Sequence, residues 1–236
     1  MEPKFKRILL KLSGEGLAGE DKFGLNAAVI AKVADDVAAT YNKGVQICIV
    51  IGGGNFFRGA KNAIADMDRS VADHIGMLAT IMNAMAFKSA LEQRNCPTEV
   101  MSGLNVPQVC ETYNFSKAKQ FLHENRIIIF AGGTGCPYFT TDTGAVLRAV
   151  EMHCDILMKA TQVDGVYDAD PRYNPEAKHY DKISADEVIT KKLNVIDMTA
   201  AALARDNNLP IMVFAQKETN SVLKAVCGEI KCTIIK

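Results

Sequence analysis

Two glycine-rich stretches, Gly52-Gly53-Gly54-Asn55 and Gly132-Gly133-Thr134-Gly135, each follow directly on a strand-like apolar run. Glycine has no Cβ, so successive N–H groups can converge on an anion, and a following helix N-terminus adds favourable partial charge. The chemistry such loops serve is phosphate binding. Lys11 stands near the end of an otherwise apolar strand pattern, Leu10-Lys11-Leu12-Ser13-Gly14, where an ammonium group without a partner would be costly to bury. Read alone it is a snorkelling or edge-strand lysine; beside two glycine loops it is a candidate to neutralise a phosphoryl group in transfer. With Arg58 it points to two phosphorylated ligands meeting, because phosphoryl transfer needs alignment and cations more than covalent help.

Other phosphate and nucleotide motifs fit less well. Gly14-Glu15-Gly16-Leu17-Ala18-Gly19 satisfies G-x-G-x-x-G after the first strand, but a dinucleotide site wants an acidic residue ending the second strand, and that strand ends in Ile51 and three glycines. Asp35 and Asp36 have about the right spacing yet fall inside a helical pattern. Gly54-Asn55-Phe56-Phe57-Arg58-Gly59 lacks the lysine and hydroxyl of a P-loop, and no H-R-D catalytic loop is present.

The elements that must position these residues alternate. Arg7 to Leu12 reads as a buried strand, and Asn26 caps an apolar-periodic helix ending near Gly44. Gln46 to Ile51 is a near-continuous β-branched run, the mark of a parallel strand covered on both faces. A Met-rich helix from about Asp68 to Arg94 precedes strands near Thr98 to Met101 and Arg126 to Phe130, with a helix from about Ser116 between them. Thr143 to Met152 (helix), Asp155 to Lys159 (strand), a turn-rich loop through Asp164 to Pro171, and a capping box at Ser184-x-x-Glu187 follow. Helices at Thr199 to Asn207 and Ser221 to Val226 alternate with strands Ile211 to Ala215 and Cys232 to Ile235. This order predicts an α/β fold, a three-layer α/β/α sandwich around a mostly parallel sheet, read as one domain over 1–236. Ligands of such sheets bind beyond the carboxyl ends of the strands, where both glycine loops sit.

Composition narrows the class. Lys+Arg and Asp+Glu are both 27, so no basic field favours nucleic acid or an anionic membrane. No signal-peptide pattern opens the chain and no apolar run approaches the roughly 20 residues of a membrane span, so a soluble, cytoplasmic protein is expected. The seven cysteines are scattered, without a C-x-x-C pair, and predict neither zinc nor a disulfide framework.

Several blocks resemble those of a known family. Lys11-Leu12-Ser13-Gly14-Glu15, Ile51 through Gly59, Asp73-His74-Ile75-Gly76-Met77-Leu78-Ala79-Thr80, Thr134 through Asp142, Lys159 through Tyr167 with Asp170-Pro171, and Val195-Ile196-Asp197-Met198 resemble the bacterial uridylate kinases of the amino-acid kinase superfamily. The Asp73 and Thr134 blocks separate that group from the acetylglutamate, aspartate and carbamate kinases. The resemblance implies ATP- and Mg²⁺-dependent phosphorylation of UMP to UDP in pyrimidine nucleotide biosynthesis, with UMP bound mainly by 1–155 and ATP mainly by 156–236.

By that resemblance Lys11, Leu12, Ser13, Gly14, Gly54, Arg58, Thr161, Gln162, Tyr167 and Asp170 hold the nucleoside triphosphate. Gly53, Asp73 and the segment Thr134, Gly135, Cys136, Pro137, Tyr138, Phe139, Thr140 and Thr141 hold UMP. Lys11 and Arg58 serve the transfer, and Asp142 and Asp197 are candidates to orient Lys11 or a magnesium-bound water. No metal ligand is assigned within the protein itself. The family further implies a homohexamer, activation by GTP and inhibition by UTP, the loop Gly19 to Gly24 occupying the place associated with the GTP response. Cys136 departs from the family pattern, which has Asn there, so a weakly bonding thiol replaces an amide. A carboxylate-phosphorylating kinase, a non-catalytic nucleotide sensor and a dehydrogenase remain as rivals.

Overall fold

The computed structural model describes residues 2–236 apart from 22, 58–65 and 172, so Arg58 lies outside the described residues. The chain runs β1 (Arg7–Leu12), α1 (Gly14–Ala18), a 3₁₀ turn (Gly19–Asp21), α2 (Ala27–Tyr41), β2 (Gln46–Ile51), α3 (Arg69–Glu92), β3 (Thr98–Ser102), β4 (Glu111–Thr112), α4 (Phe115–His123) and β5 (Ile127–Ala131). It continues through α5 (Thr141–Glu151), β6 (Ile156–Thr161), β7 (Val166–Tyr167), β8 (His179–Tyr180), β9 (Lys182–Ile183), α6 (Ala185–Thr190), α7 (Met198–Asp206), β10 (Ile211–Ala215), α8 (Ser221–Cys227) and β11 (Cys232–Ile235). Nine strands form one sheet in the order β4-β3-β5-β2-β1-β6-β10-β11-β9, and β7 pairs with β8 in a separate hairpin. Every pairing of the large sheet is parallel except β10 with β11.

Period two along the strands divides the core between two helical layers. Ile8, Leu10 and Leu12 of β1, with Ile47, Ile49 and Ile51 of β2, pack under α2, α3 and α8. Leu9 of β1, Cys48 and Val50 of β2 and Leu157 of β6 pack under α4, α5, α6 and α7. The three-layer α/β/α sandwich expected from the alternation is therefore the architecture of the chain.

Local chemistry sets the helix starts. Asn26 accepts from Ala28 N and Val29 N, both at 3.1 Å, and begins α2. Ser184 and Glu187 form the expected capping box of α6. Asp36, buried within α2, reaches across to accept from Val222 N at 2.9 Å and Ser221 Oγ at 2.9 Å, tying α8 to α2. Burial pushes its carboxyl up despite those bonds.

The elements absent from the sequence reading are short: α1, β4, β9 and the β7–β8 hairpin. Two-residue strands carry no periodic signal, and α1 contains two glycines, poor helix formers. Close approach explains one of them, because a Cβ on Gly14 would stand 2.3 Å from the Gly52 carbonyl oxygen. Among the described residues no helix is long and apolar enough to cross a membrane.

Candidate active site

Lys11 is the penultimate residue of β1, and the parallel register sets it opposite Lys159 of β6. Leu9 and Leu157, two residues earlier on each strand, belong to the core under α4–α7, so both ammonium groups turn to that layer at the carboxyl edge of the sheet. The first turn of α5 meets them there. Asp142 Oδ1 lies 3.0 Å from Lys11 Nζ and its Oδ2 lies 2.5 Å from Lys159 Nζ, each side chain no more than 14% exposed. Lys159 also donates to the Val195 carbonyl at 2.5 Å.

The electrostatics follow from this packing. Burial alone would raise the Asp142 carboxyl, but Lys11 and Lys159 beside it prevail and hold it below the usual carboxylate range. Burial depresses Lys159, the positive charge of Lys11 adds to the effect, and Asp142 opposes it. The result is two cations held about one directly paired anion, with the Asp197 carboxylate near enough to favour the charged form of Lys159. Asp142 Oδ1 is buried and accepts no hydrogen bond among the described residues, so its contact with Lys11 is an ion pair without hydrogen-bond geometry.

Both glycine loops border this centre. Gly52 N donates to the Leu12 carbonyl at 3.0 Å, stitching the end of β2 to that of β1. A Cβ on Gly53 would lie 2.6 Å from the Gly76 carbonyl of α3, which explains the glycine there. Gly132, Gly133 and Gly135 have φ of 69°, 58° and 80°, the left-handed region that favours glycine. The amides of Gly53, Gly54, Gly133 and Thr134 donate to no acceptor among the described residues, so four donors are available to an anion.

Two cavities flank the centre. One, of about 140 Å³, is walled by Gly53, Gly54, Asp73, Thr134, Cys136, Phe139, Thr140 and Thr141, and also by Phe57, Ala72, Gly76, Met77, Thr80 and Gly133. Asp73 accepts from Tyr138 N at 2.8 Å, and Arg69 stacks 4.7 Å from the Tyr138 ring centroid, which pins that residue at φ 70°. The other, of about 570 Å³, opens between β6 and the β7–β8 hairpin and is walled by Lys159, Thr161, Tyr167, Asp170, Leu193 and Val195 among others. Tyr167 donates to Asp164 Oδ1 at 2.7 Å, and Lys231 lies 2.8 Å from Asp164 Oδ2. Partial burial would raise the Asp164 carboxyl, yet Lys231 and Tyr167 bring it down to about 2.

Comparison with known proteins gives the same picture. Residues 6–215 match the model of the amino acid kinase family. Two proteins named uridylate kinase, from Erythrobacter litoralis and Rickettsia canadensis, are each 49% identical, aligned over 99% of this chain and over 98% and 96% of their own lengths. This chain belongs to the uridylate kinases of the amino acid kinase family. Crystal structures of UMP kinases from Ureaplasma parvum and Bacillus anthracis superpose with a TM-score of 0.93 at 36% and 37% identity, covering 98% of this kinase and 98% and 96% of those chains. The crystal structure of uridylate kinase from Archaeoglobus fulgidus superposes with a TM-score of 0.73 at 28% identity, covering 97% of this chain and 99% of that one.

The kinase brings together many of the residues singled out from its sequence and leaves others apart. Asp142 meets Lys11, and Asp197 borders the same centre: it caps α7, accepting from Ala200 N at 2.9 Å and from the hydroxyls of Thr143, at 3.0 Å, and Thr140, and its charge favours the charged form of Lys159. Gly135, Pro137 and Tyr138 stand outside the smaller cavity's wall, and Gln162 is exposed outside the larger one. Leu12 is buried with its side chain under the α2–α3 layer, so only its backbone reaches the site. Ser13 precedes α1 without capping it through its side chain. Lys159 is the functional group the site reading missed, although Ile156-Leu157-Met158-Lys159 repeats the signal of Lys11: a lysine closing an apolar strand. Thr80 is a second, its hydroxyl accepting from Gly132 N at 2.8 Å inside the cavity wall.

Proposed function

We propose that this kinase transfers the γ-phosphoryl group of ATP to UMP, a phosphate oxygen of UMP attacking phosphorus as ADP leaves. One observation carries the reading. The first turn of α5 belongs to both cavities, because Thr140 and Thr141 wall the smaller while the next residue, Asp142, pairs with Lys159 in the wall of the larger. A phosphoryl group crossing between them passes Lys11 and Lys159.

In this reading Lys11 and Lys159 take up charge on the transferring and leaving oxygens, and Asp142 holds the two ammonium groups in place so that no reorganisation is needed at reaction. The amides of Gly53, Gly133 and Thr134 align the acceptor phosphate, and so does that of Gly54, which the resemblance gave to ATP but which walls the smaller cavity. Asp73 and the Thr134–Thr141 segment hold UMP; Thr161, Tyr167 and Asp170 hold ATP, and Arg58 serves the junction. Among the described residues no three His, Cys, Asp or Glu side chains cluster as a metal site. Asp142, whose buried Oδ1 makes only its ion pair with Lys11, is the carboxylate that would hold a magnesium ion carried in on phosphate oxygens, and such an ion would neutralise those oxygens when bound.

The same reading extends to a cytosolic homohexamer serving pyrimidine nucleotide synthesis, activated by GTP and inhibited by UTP. Val71, Leu78, Met82 and Met85 form a half-exposed apolar stripe on α3 that supports self-association. The test is coupled ADP release from ATP and Mg²⁺ with UMP, CMP and acetylglutamate in parallel, for wild type and Lys11→Ala. UMP-dependent turnover lost in Lys11→Ala is expected. Turnover on acetylglutamate alone, or UMP binding without turnover, would overturn the proposal.

A further inference from the structure

Asn55 and Asn83 are buried behind the β2 glycine loop, 1% and 0% exposed, and neither walls the smaller cavity. Their side-chain amides pair head to head. Asn83 Nδ2 donates to Asn55 Oδ1 at 2.8 Å and Asn55 Nδ2 donates to Asn83 Oδ1 at 2.9 Å. The second N–H of Asn83 goes to the Gly52 carbonyl at 2.7 Å, and that of Asn55 to the Gly24 carbonyl at 2.7 Å. Gly24 N returns a bond to the Asn55 carbonyl at 3.0 Å, and the Phe23 and Phe56 rings meet edge to face at 5.9 Å. All four side-chain N–H groups are used, and rotating either amide by half a turn would set oxygen against carbonyl oxygen.

A pair of leucines would fill this space without the four side-chain polar groups but would leave the Gly52 and Gly24 carbonyls without these donors, so the amides serve those two backbone groups in particular. Gly52 is held through its N–H by Leu12 and through its carbonyl by Asn83, and the peptide units that follow carry the amides of Gly53 and Gly54, which meet no acceptor among the described residues. Fixing Gly52 at both ends fixes where those donors point. We propose that Asn55 and Asn83 are positioning residues for the phosphoryl acceptor, setting the β2 glycine loop and tying the segment around Gly24 to it. This rests on the reading of the smaller cavity as the acceptor site. It predicts that the pair acts on the acceptor and not on ATP.

The experiment compares wild type with Asn83→Gln and with the double variant Asn55→Leu/Asn83→Leu, which removes the amide pair and frees the Gly52 and Gly24 carbonyls from it. The readouts are thermal midpoint, the Michaelis constants for UMP and ATP, and amide hydrogen exchange across 50–57. Both variants should raise the KM for UMP about tenfold or more, with the KM for ATP changed less than about twofold, since a misaimed donor costs alignment on one side only. Exchange across 50–57 should quicken in the double variant with or without substrate. Unchanged KM and exchange in a folded variant, or an equal rise in both KM values, would overturn the proposal. If the wild type has no UMP turnover, the acceptor reading fails, while the exchange result still decides whether the pair sets the loop. If neither variant folds, the amides are stabilising and the proposal is overturned.

Discussion

Replacing Asp142 by Asn would remove the one anion between two buried ammonium groups while keeping its shape. Lys11 and Lys159 are each 13% exposed and stand 3.0 and 2.5 Å from the carboxylate. Removing one partner of a buried ion pair leaves an uncompensated charge and costs about 3–5 kcal/mol. For a domain of this size each kcal/mol shifts the thermal midpoint by roughly 2–4 °C, so Asp142→Asn should melt about 6 °C or more below wild type near neutral pH. The pH dependence follows from the depressed carboxyl. A carboxyl held below its unfolded value contributes stability that is fully present above about pH 4 and lost as pH falls through the folded value. The gap between variant and wild type should therefore narrow below about pH 4. Adding Lys159→Met to Asp142→Asn should restore part of the loss, because one unpaired cation goes. Thermal unfolding without nucleotide, followed by circular dichroism at several pH values, measures all three. An Asp142→Asn midpoint equal to wild type, or a gap independent of pH, would refute the electrostatic account.

Three further outcomes are expected. Lys159→Met should lower kcat by about two orders of magnitude or more with little change in the KM for UMP, as removal of a preorganised cation does, and steady-state kinetics checks it. Gly53→Ala places a methyl 2.6 Å from the Gly76 carbonyl and 2.8 Å from Ala79 Cβ, both on α3, so the loop must shift; calorimetric UMP binding should weaken while ATP binding holds. Asp164 is depressed to about 2 by Lys231 and Tyr167, so its contribution is present above about pH 4 and lost as pH falls toward about 2. Lys231→Met should shrink that acid-side loss, read from unfolding curves across that window, by a small amount because the pair is partly exposed.

The large features of the fold were legible because they are long and repetitive. The six-residue apolar runs at Arg7–Leu12 and Gln46–Ile51, the Asn26 cap and the Ser184 capping box each have the form the sequence implies. The Met-rich helix, expected from Asp68 to Arg94, runs Arg69–Glu92 with Asp68 as its cap. Less legible was anything that depends on which strands are neighbours. Nothing local says that β1 lies between β2 and β6, so nothing local says that Lys159 meets Lys11 through Asp142. Asp197 illustrates the same limit: that one carboxylate caps α7 and also joins the start of α5 beside Lys159 follows only from the packing of α7 on α5. Asn55 and Asn83 are 28 positions apart, and a reciprocal amide pair leaves no pattern in a single sequence.

The central place of β1 has a consequence for biosynthesis. β1, made before its neighbours in the sheet, pairs on one side with β2, close behind it, and on the other with β6, about 150 residues later. Until β6 has emerged, one edge of β1 lacks its partner and Lys11 lacks Lys159, although α5 with Asp142 is made just before β6. Pairing over such a separation closes a long loop and is slow. Nascent or truncated chains ending before residue 156 would expose a hydrophobic parallel edge, and chaperone engagement with the half-made protein should fall once β6 has been synthesised.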